Sequence, residues 1–326
     1  MRIAIVGAGA IGSYLAGRLA AAGSDVVLVA RGRQREVIGA QGVRITGTRP
    51  AAARPRVVAG AREAGPCDIV VSCVKAYQVA GIVDELRTAM GRHGRWLCLL
   101  NGIPWWYTAV APTPLRDVAI AAVDPERRIG ASFDMARVVG CAAYLRCEVI
   151  APGVVEFTGG RGLEIGHLTD RAPSLEPIAG TLTAAGVATR PTSDIASSVW
   201  NKLIGNVAIN PLSVVTGLTV EGMLSDPMHR ATVTAIAREM HTLMHVLGHR
   251  PDSDPEARVR AMEALGAFRS STLQDADAGR PLEIGAIISA PVEIATRIGV
   301  DAPVMRALEQ NVRAFADHRG LLRAPR

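Results

Sequence analysis

Apolar and polar positions alternate in short blocks through the first half of the chain. Apolar runs of the length that forms buried strands lie at residues 2–6, 26–30, 69–74 and 96–100. The stretch 11–22, rich in Ala and Leu, predicts a helix between the first two runs. Strands that alternate with helices in this way are typical of βαβ units and a parallel sheet.

The pattern changes in the middle of the chain. Between residues 138 and 165, strand-like stretches are separated by Gly and Pro, which predicts an antiparallel hairpin closing the first sheet. Residues 48–65 are expected to form a loop region with one strand at 57–58. The second half predicts helices at residues 193–209, 227–246, 255–268, 283–298 and 303–316. We therefore expect two domains, residues 1–170 and residues 171–326.

Composition supports a globular chain with two cores. Of its 326 residues, 49% are hydrophobic and 20% are charged, so it is too apolar to be disordered. No run of about 20 apolar residues predicts a transmembrane helix, and the first residues lack the pattern of a signal peptide. We expect a cytoplasmic protein with no membrane partner. The five cysteines show no metal-ligand spacing, so we expect buried thiols.

Charge narrows the possible partners. The net charge of +6 comes from scattered arginines without a long basic run, which argues against nucleic acid and suits an anionic cofactor and substrate. Of 36 basic residues, only Lys75 and Lys202 are lysines. Arginine keeps its proton at ordinary pH, whereas a lysine whose pKa is lowered can donate one. These two residues are therefore candidates for proton transfer.

A glycine-rich segment, GAGAIG at residues 7–12, lies between the first predicted strand and the first predicted helix. In a Rossmann fold the first glycine permits a tight turn, the second lets the backbone approach the pyrophosphate, and the third lets helix and strand pack closely. We therefore expect Gly7, Gly9, Ala10, Ile11 and Gly12 to bind a dinucleotide.

The end of the second predicted strand indicates which dinucleotide. An enzyme that uses NAD usually has Asp or Glu there, to hold the ribose 2′-hydroxyl. This chain has Ala30, Arg31, Gly32 and Arg33 instead. Arg31 could form paired hydrogen bonds with a 2′-phosphate, with Arg33 in support. The sequence therefore predicts NADP(H), although a solvated surface arginine would have the same pattern.

Polar residues follow the other two predicted strands. Lys75 comes after the third strand and Asn101 after the fourth, and ligands of open α/β sheets bind beyond the carboxyl ends of strands. We expect both residues near the ligand. An exposed loop amine at Lys75 and an ordinary Asn-Gly turn at Asn101 remain the alternatives.

A polar stripe lies on the first helix of the second half. Lys202, Asn206 and Asn210 follow one another at intervals of four residues, so they share one face of an otherwise apolar helix. Polar groups among apolar residues need partners, which a cleft facing a polar substrate would supply. A solvent-facing stripe is the alternative.

In these segments the chain resembles the ketopantoate reductase (2-dehydropantoate 2-reductase) family, over residues 1–316. The matching segments are the glycine-rich start, Val74-Lys75-Ala76-Tyr77-Gln78, Leu100-Asn101-Gly102, Lys202-x3-Asn206-x3-Asn210-Pro211, Ser271-Thr272-Leu273-Gln274-Asp275, and Glu283-Ile284. The resemblance implies an α/β Rossmann-type domain followed by an all-helical domain similar to that of 6-phosphogluconate dehydrogenase. It places the active site in the cleft between them.

The resemblance also implies a reaction. Family members reduce a small anionic 2-oxo acid to the 2-hydroxy acid with NADPH, and ketopantoate to pantoate, a step of pantothenate biosynthesis, is the first candidate. Lys202 resembles the general acid that protonates the keto oxygen as hydride arrives. Glu283 resembles the carboxylate that completes the active site and orients the substrate hydroxyl or the lysine. Arg31 matches the family's arginine for the 2′-phosphate.

Five further residues have implied binding roles. Asn206, Asn210 and Ser271 resemble groups that bind substrate. Lys75 and Asn101 resemble residues that hold the cofactor ribose and position the substrate and the lysine. The helical domain would bind substrate and could mediate a homodimer.

Two departures from the family pattern leave the substrate open. Many members have Asp where this chain has Gly285, and an Asn-Gly pair where it has Ile288 and Ser289. The aromatic run at residues 105–107, Trp-Trp-Tyr, indicates either core packing or an altered wall of the substrate pocket. A reductase of another branched or sugar-derived keto acid, and a catalytically silent NADP-binding sensor, are the alternatives.

Three histidines have a spacing that could bind zinc. His241, His245 and His249 follow one another at intervals of four residues, which would place them on one helical face. No Asp, Glu or Cys lies on that face, so we expect no metal site.

Overall fold

The chain divides into two compact units. The computed structural model describes residues 1–112 and 114–322. Met1–Leu100 and Arg128–Ile195 form the first unit, and Asn101–Arg127 and Ala196–Arg326 form the second. The sequence placed the boundary near residue 170 instead. Residues 171–195 belong to the first unit because Leu175, Ile178 and Leu182 pack into its core. Residues 101–127 belong to the second unit because Ile103 and Leu115 pack into the core of that unit.

The first unit contains the strands of the structure. They are β1 (Arg2–Val6), β2 (Asp25–Val29), β3 (Val43–Gly47), β4 (Ala51–Ala53), β5 (Arg56–Val58), β6 (Ile69–Ser72), β7 (Arg95–Leu99), β8 (Val138–Ala151), β9 (Val154–His167) and β10 (Thr189–Thr192).

Helices occur in both units. They are α1 (Ala10–Ala21), α2 (Gly32–Gln41), α3 (Val83–Met90), α4 (Tyr107–Val110), α5 (Glu176–Ala184), α6 (Ile195–Thr216), α7 (Val220–Ser225), α8 (Pro227–Val246), α9 (Pro255–Glu263), α10 (Ser271–Asp277), α11 (Ala290–Arg297) and α12 (Pro303–His318). A π-helical turn at Gly285–Ser289 leads directly into α11.

The sheet of the first unit confirms the predicted Rossmann-type architecture. Its strands lie in the order β4-β3-β9-β8-β7-β6-β1-β2-β5, and β10 pairs with β9. The run from β5 to β8 is parallel, and β8 and β9 form the predicted antiparallel hairpin. Strands β1, β2, β6 and β7 are buried over nearly their whole length, as expected of parallel strands covered on both faces.

Three short strands, β3, β4 and β10, were not predicted, and β10 pairs parallel with β9. Strand β3 joins the sheet parallel to β9, and β4 pairs antiparallel with β3 inside the stretch expected to be a loop. Each is short, and β4 consists of three alanines, which have little strand preference of their own. Strand β3 forms because the long hairpin offers an edge with which it pairs, and β4 then pairs with β3.

The second unit is helical, as predicted, around one apolar core. Helix α6 is longer than expected because it continues through Pro211 to Thr216. An interior proline removes a backbone hydrogen bond and costs about 3 kcal/mol. Buried apolar residues beyond it, such as Leu212 and Val214, join the same core and offset that cost.

The cysteines differ in part from the sequence expectation of five buried thiols. Cys73 and Cys147 are partly exposed, whereas the other three cysteines are buried, and none of the five forms a disulfide. Within residues 1–112 and 114–322, every helix is too short or too polar to cross a membrane.

We expect His241 to make the stability of the helical unit depend on pH. Its side chain is 7% exposed, and burial, with a smaller effect from His245, lowers the pKa of the ring. The unfolded chain, with a histidine pKa of about 6.5, then binds more protons. We expect the free energy of unfolding to fall as pH drops below about 6.5, by at most about 1.4 kcal/mol per pH unit for this group.

Urea unfolding across that pH range would measure the effect. His241→Gln should flatten the pH dependence of unfolding, because the group that takes up the proton is gone. His318→Gln, at an exposed histidine of α12, is the matched control and should leave the dependence as it is. An unchanged slope in His241→Gln would assign the effect to other groups.

Candidate active site

The carboxyl ends of three parallel strands meet at one edge of the sheet in the first unit. The backbone N–H of Gly7, just after β1, donates to the carbonyl of Val29 at the end of β2, at 3.1 Å. The N–H of Cys73, just after β6, donates to the carbonyl of Val6 at 2.8 Å. The glycine-rich loop therefore lies at the edge where open α/β sheets bind ligands.

The geometry of this loop fits a dinucleotide. Gly7 has φ +107°, and a Cβ there would lie 2.9 Å from the carbonyl oxygen of Cys73. A Cβ at Gly12 would lie 1.9 Å from the carbonyl oxygen of Gly7. Gly9, the N-cap residue of α1, is exposed, and no atom lies within 4 Å of its Cβ position. The loop therefore packs tightly against backbone atoms at Gly7 and Gly12. At Gly9 there is free space next to the backbone, as a bound pyrophosphate requires.

Ala10 and Ile11 begin α1, whose first turn contains no acidic residue. Their amides and the positive end of the helix would favour phosphate. Although Cys73 as a residue is partly exposed, burial of its thiol beneath the loop raises the pKa of that thiol, which favours the protonated form.

Arg31 and Lys75 lie on loops of the same unit. Arg31 is the N-cap residue of α2, and its side chain is 71% exposed, with the guanidinium 3.7 Å from a carboxylate oxygen of Glu85. Lys75 precedes a 3₁₀ turn at Ala76–Ile82, where its backbone N–H donates to the Gln78 side chain at 2.9 Å. The capped turn fixes the backbone at Lys75.

The second unit brings two of the predicted residues into direct contact. The Nζ of Lys202 donates to the Oδ1 of Asn101 at 2.6 Å, a short hydrogen bond between residues 101 positions apart. Lys202 is partly buried in the first half of α6. The amide oxygen therefore fixes the position of the amine that the sequence predicted to take part in proton transfer.

The rest of the polar stripe lies further along α6. Asn206 is partly buried and Asn210 is buried. The hydroxyl of Ser213 donates to the carbonyl of Asn210 at 2.8 Å and lies 2.6 Å from the hydroxyl of Ser270. Ser270 in turn caps α10, whose first residue is the exposed Ser271. This chain of hydrogen bonds joins two elements with predicted substrate-binding residues.

Glu283 is 5% exposed, just before the π-helical turn. A π-helical turn within a longer helix is often found at functional sites. The helix expected from residue 283 is present from residue 284 to 297, and its π-helical turn lies at the point where the chain departs from the family pattern. A Cβ at Gly285 would lie 2.7 Å from the carbonyl oxygen of Ala122, so a larger side chain does not fit there.

The aromatic run at residues 105–107 is buried. The hydroxyl of Tyr107 forms a 2.8 Å hydrogen bond with the Nε2 of His249, and the ring of Trp200 stacks on the imidazole at 5.8 Å. These contacts favour the core-packing interpretation of the run. Sequence reasoning missed the pairing because His249 lies past the end of α8, off the helical face assumed for a zinc site.

Loop 249–252 is a further contact of α6 that sequence reasoning missed. The side-chain amide of Asn201 donates to the carbonyl of Arg250 at 2.8 Å and accepts from the N–H of Asp252 at 2.9 Å. Asn201 directly precedes Lys202, so this loop holds α6 next to the amine. The signal was a polar residue beside Lys202 on an apolar helix.

Comparisons with known proteins agree with this architecture. The ketopantoate reductase PanE/ApbA family model matches residues 3–170, and the model of that family's C-terminal domain matches residues 194–316. A 2-dehydropantoate 2-reductase from Mesorhizobium japonicum is 34% identical over 98% of this chain and 99% of its own.

Solved structures extend the similarity. A structure of a family protein from Ralstonia solanacearum MolK2 is 34% identical, with a TM-score of 0.90 over 98% of this chain and 99% of that one. A PanE/ApbA family ketopantoate reductase from Ralstonia eutropha JMP134 is 26% identical, with a TM-score of 0.82 over 98% of this chain and 100% of that one. The chain belongs to the ketopantoate reductase family.

Proposed function

We propose that the protein reduces ketopantoate to pantoate with NADPH, and that Lys202 is its general acid. Membership of the family makes the protein an NADP-dependent oxidoreductase acting on a CH–OH group. The observation that supports the role of Lys202 is its 2.6 Å hydrogen bond to Asn101 in the polar stripe of α6.

NADPH, when bound by the glycine-rich loop, would supply the hydride for the keto carbon. As negative charge develops on the keto oxygen, the ammonium of Lys202 stabilises that charge and donates the proton from Nζ. Asn101 holds the amine in place, so little reorganisation is needed at the moment of transfer. General acids of this kind contribute about 10²–10⁴-fold to rate.

The remaining polar groups of the helical unit would bind the substrate. A buried carboxylate at Glu283 is suited to accept a hydrogen bond from the distal hydroxyl of ketopantoate. Asn206, Asn210 and Ser271 would bind the rest of the molecule. Gly7, Gly9, Ala10, Ile11 and Gly12 would hold the cofactor pyrophosphate, and Arg31 and Lys75 its adenosine and nicotinamide ends.

The proposal also includes the charge of the substrate, the cellular location and the oligomeric state. A small anionic 2-oxo acid suits the net charge of +6, and a cytoplasmic location suits cysteines that stay reduced. A homodimer is the assembly we propose, and light scattering of the purified protein would test it.

A panel of 2-oxo acids tests the reaction. We expect NADPH to be oxidised fastest with ketopantoate, because a site built around a substrate hydroxyl rejects analogues that lack it, by about tenfold or more. Steady-state kcat/KM with ketopantoate and with an analogue lacking the hydroxyl would measure this preference.

A second candidate substrate is another branched or sugar-derived 2-oxo acid. Gly285 favours it, because no side chain fits at a position where many relatives have Asp. Faster reduction of such an acid than of ketopantoate would select this candidate. Oxidation of NADPH by none of the panel would contradict the proposed function.

A further inference from the structure

Residues 101–127, here termed the strap, belong to the helical unit, although the chain before and after them belongs to the first unit. The strap begins at Asn101, which accepts the hydrogen bond from Lys202. The structure describes residues 101–112 and 114–127 of it. The strap contacts the helical run that follows Glu283 at two places. Neither contact has a part in the binding and catalysis proposed above.

The first contact lies directly after Asn101. The backbone N–H of Ile103 donates to the carbonyl of Ala286 at 2.8 Å. Gly102 has φ +80°, and a Cβ there would lie 2.2 Å from the same carbonyl oxygen. Backbone therefore packs against backbone, which fixes the start of the strap against the π-helical turn after Glu283.

The second contact lies near the other end of the strap. The N–H groups of Ala121 and Ala122 donate to the two carboxylate oxygens of Glu293, at 3.0 and 3.1 Å. The carbonyl of Ala122 lies against Gly285, where no Cβ fits. A carboxylate that accepts two backbone N–H groups makes charge-assisted hydrogen bonds, which are stronger than neutral ones.

Together the contacts explain the family departure at Gly285. Both ends of the strap rest on the turn Gly285–Ser289, and a side chain at residue 285 would displace one of them. The strap can therefore pack in this position only because residue 285 has no side chain.

We propose that Glu293 is a positioning residue that acts through the strap. By holding the strap on the helical run of Glu283, it fixes Asn101, and thereby the amine of Lys202, relative to that carboxylate. The expected effect of Glu293 on turnover rests on the proposed function. Its expected effect on the order of residues 101–103, at the start of the strap, does not.

Glu293→Gln tests the proposal, because it removes the charge and one acceptor at nearly the same size. We expect amide hydrogen exchange at residues 101–103 to rise by about tenfold or more, although these residues do not touch Glu293. We expect kcat to fall by about tenfold or more, since small displacements of catalytic groups are costly, while the Kd for NADPH stays within about twofold.

Glu239→Gln is the control for the loss of a carboxylate that accepts from paired backbone N–H groups. The carboxylate of Glu239 also accepts from two consecutive backbone N–H groups, those of Val304 and Met305, both at 2.8 Å. This variant should lose a similar amount of thermal stability while keeping kcat. Equal losses of kcat in the two variants would mean that Glu293 acts only on stability. Because the Glu293 carboxylate also accepts from the Arg297 guanidinium at 2.8 and 3.1 Å, Arg297→Gln is the control for loss of that ion pair and should keep kcat.

Gly285→Ala provides an independent test should Glu293→Gln fold poorly. Alanine is the better helix former, so a loss of activity would come from displacing Ala122 rather than from helix propensity. We expect the same increase in exchange at residues 101–103 and the same fall in kcat.

Parental exchange at residues 101–103 in the tested variant would overturn the proposal, as would parental kcat. A parent enzyme inactive on every 2-oxo acid would contradict the proposed function, and the exchange measurement alone would then decide on the strap.

Discussion

Lys202→Arg is expected to lower kcat by about 100-fold or more, while NADPH binds as tightly as before. The guanidinium keeps the positive charge near the developing oxyanion but keeps its proton as well, so protonation loses its donor. Rapid-mixing measurement of NADPH oxidation, beside a fluorescence titration with NADPH, would separate the chemical step from cofactor binding.

The contact with Asn101 makes this substitution informative. At 2.6 Å from Oδ1, the amine is held by a compact hydrogen bond that the broader guanidinium cannot reproduce in the same place. Lys202→Gln, which loses charge and proton together, is the companion variant. If Lys202→Arg is much faster than Lys202→Gln, charge contributes separately from proton donation. Near-parental turnover in Lys202→Arg would mean that the proton comes from another group.

The fold was predictable where local pattern and tertiary structure agree. Continuous apolar runs predicted β1, β2, β6 and β7 within one or two residues, because buried parallel strands need apolar residues on both faces. Strand β3 was not predicted, because its pairing partner is the edge of a hairpin more than 100 residues away in the chain, and β4 pairs in turn with β3.

The candidate site was predictable where its residues follow a helical period. Lys202, Asn206 and Asn210 stood out on α6 because four-residue spacing repeats one face. Glu293 lies 171 and 172 positions along the chain from the two strap residues that it contacts. Tyr107 and His249 lie 142 positions apart. Such pairs have no local period, so one sequence could not show them.

The choice of cofactor was predictable for a different reason, because the residue type at a single position distinguishes NADP from NAD. The segment directly after β2, which includes Arg31, lies where the adenosine ribose binds in Rossmann domains, and an arginine there favours a phosphate over a hydroxyl. What the sequence could not show is that Arg31 already has a partner. Its guanidinium lies 3.7 Å from Glu85, whose carboxylate also accepts from the N–H of Ala61 at 3.0 Å.

Arg31→Ala is expected to weaken NADPH binding by about 10- to 150-fold and to leave NADH binding nearly unchanged. Hydrogen bonds to charged groups are worth about 1.5–3 kcal/mol, which corresponds to that range. Because the side chain is 71% exposed, solvent screens the contact and we expect the lower end. Calorimetric titration of parent and variant with both cofactors would measure the four affinities.

Glu85→Gln is the control that separates the phosphate contact from the ion pair. An exposed ion pair at this distance contributes at most about 1 kcal/mol, so a phosphate can displace Glu85 from Arg31. Removing the carboxylate charge should therefore leave NADPH binding as tight as before or strengthen it by a few-fold, about what that energy allows. Weaker NADPH binding in Glu85→Gln would show that the carboxylate holds Arg31 in its binding position. Equal affinity of the parent for NADH and NADPH would show instead that Arg31 does not bind the 2′-phosphate.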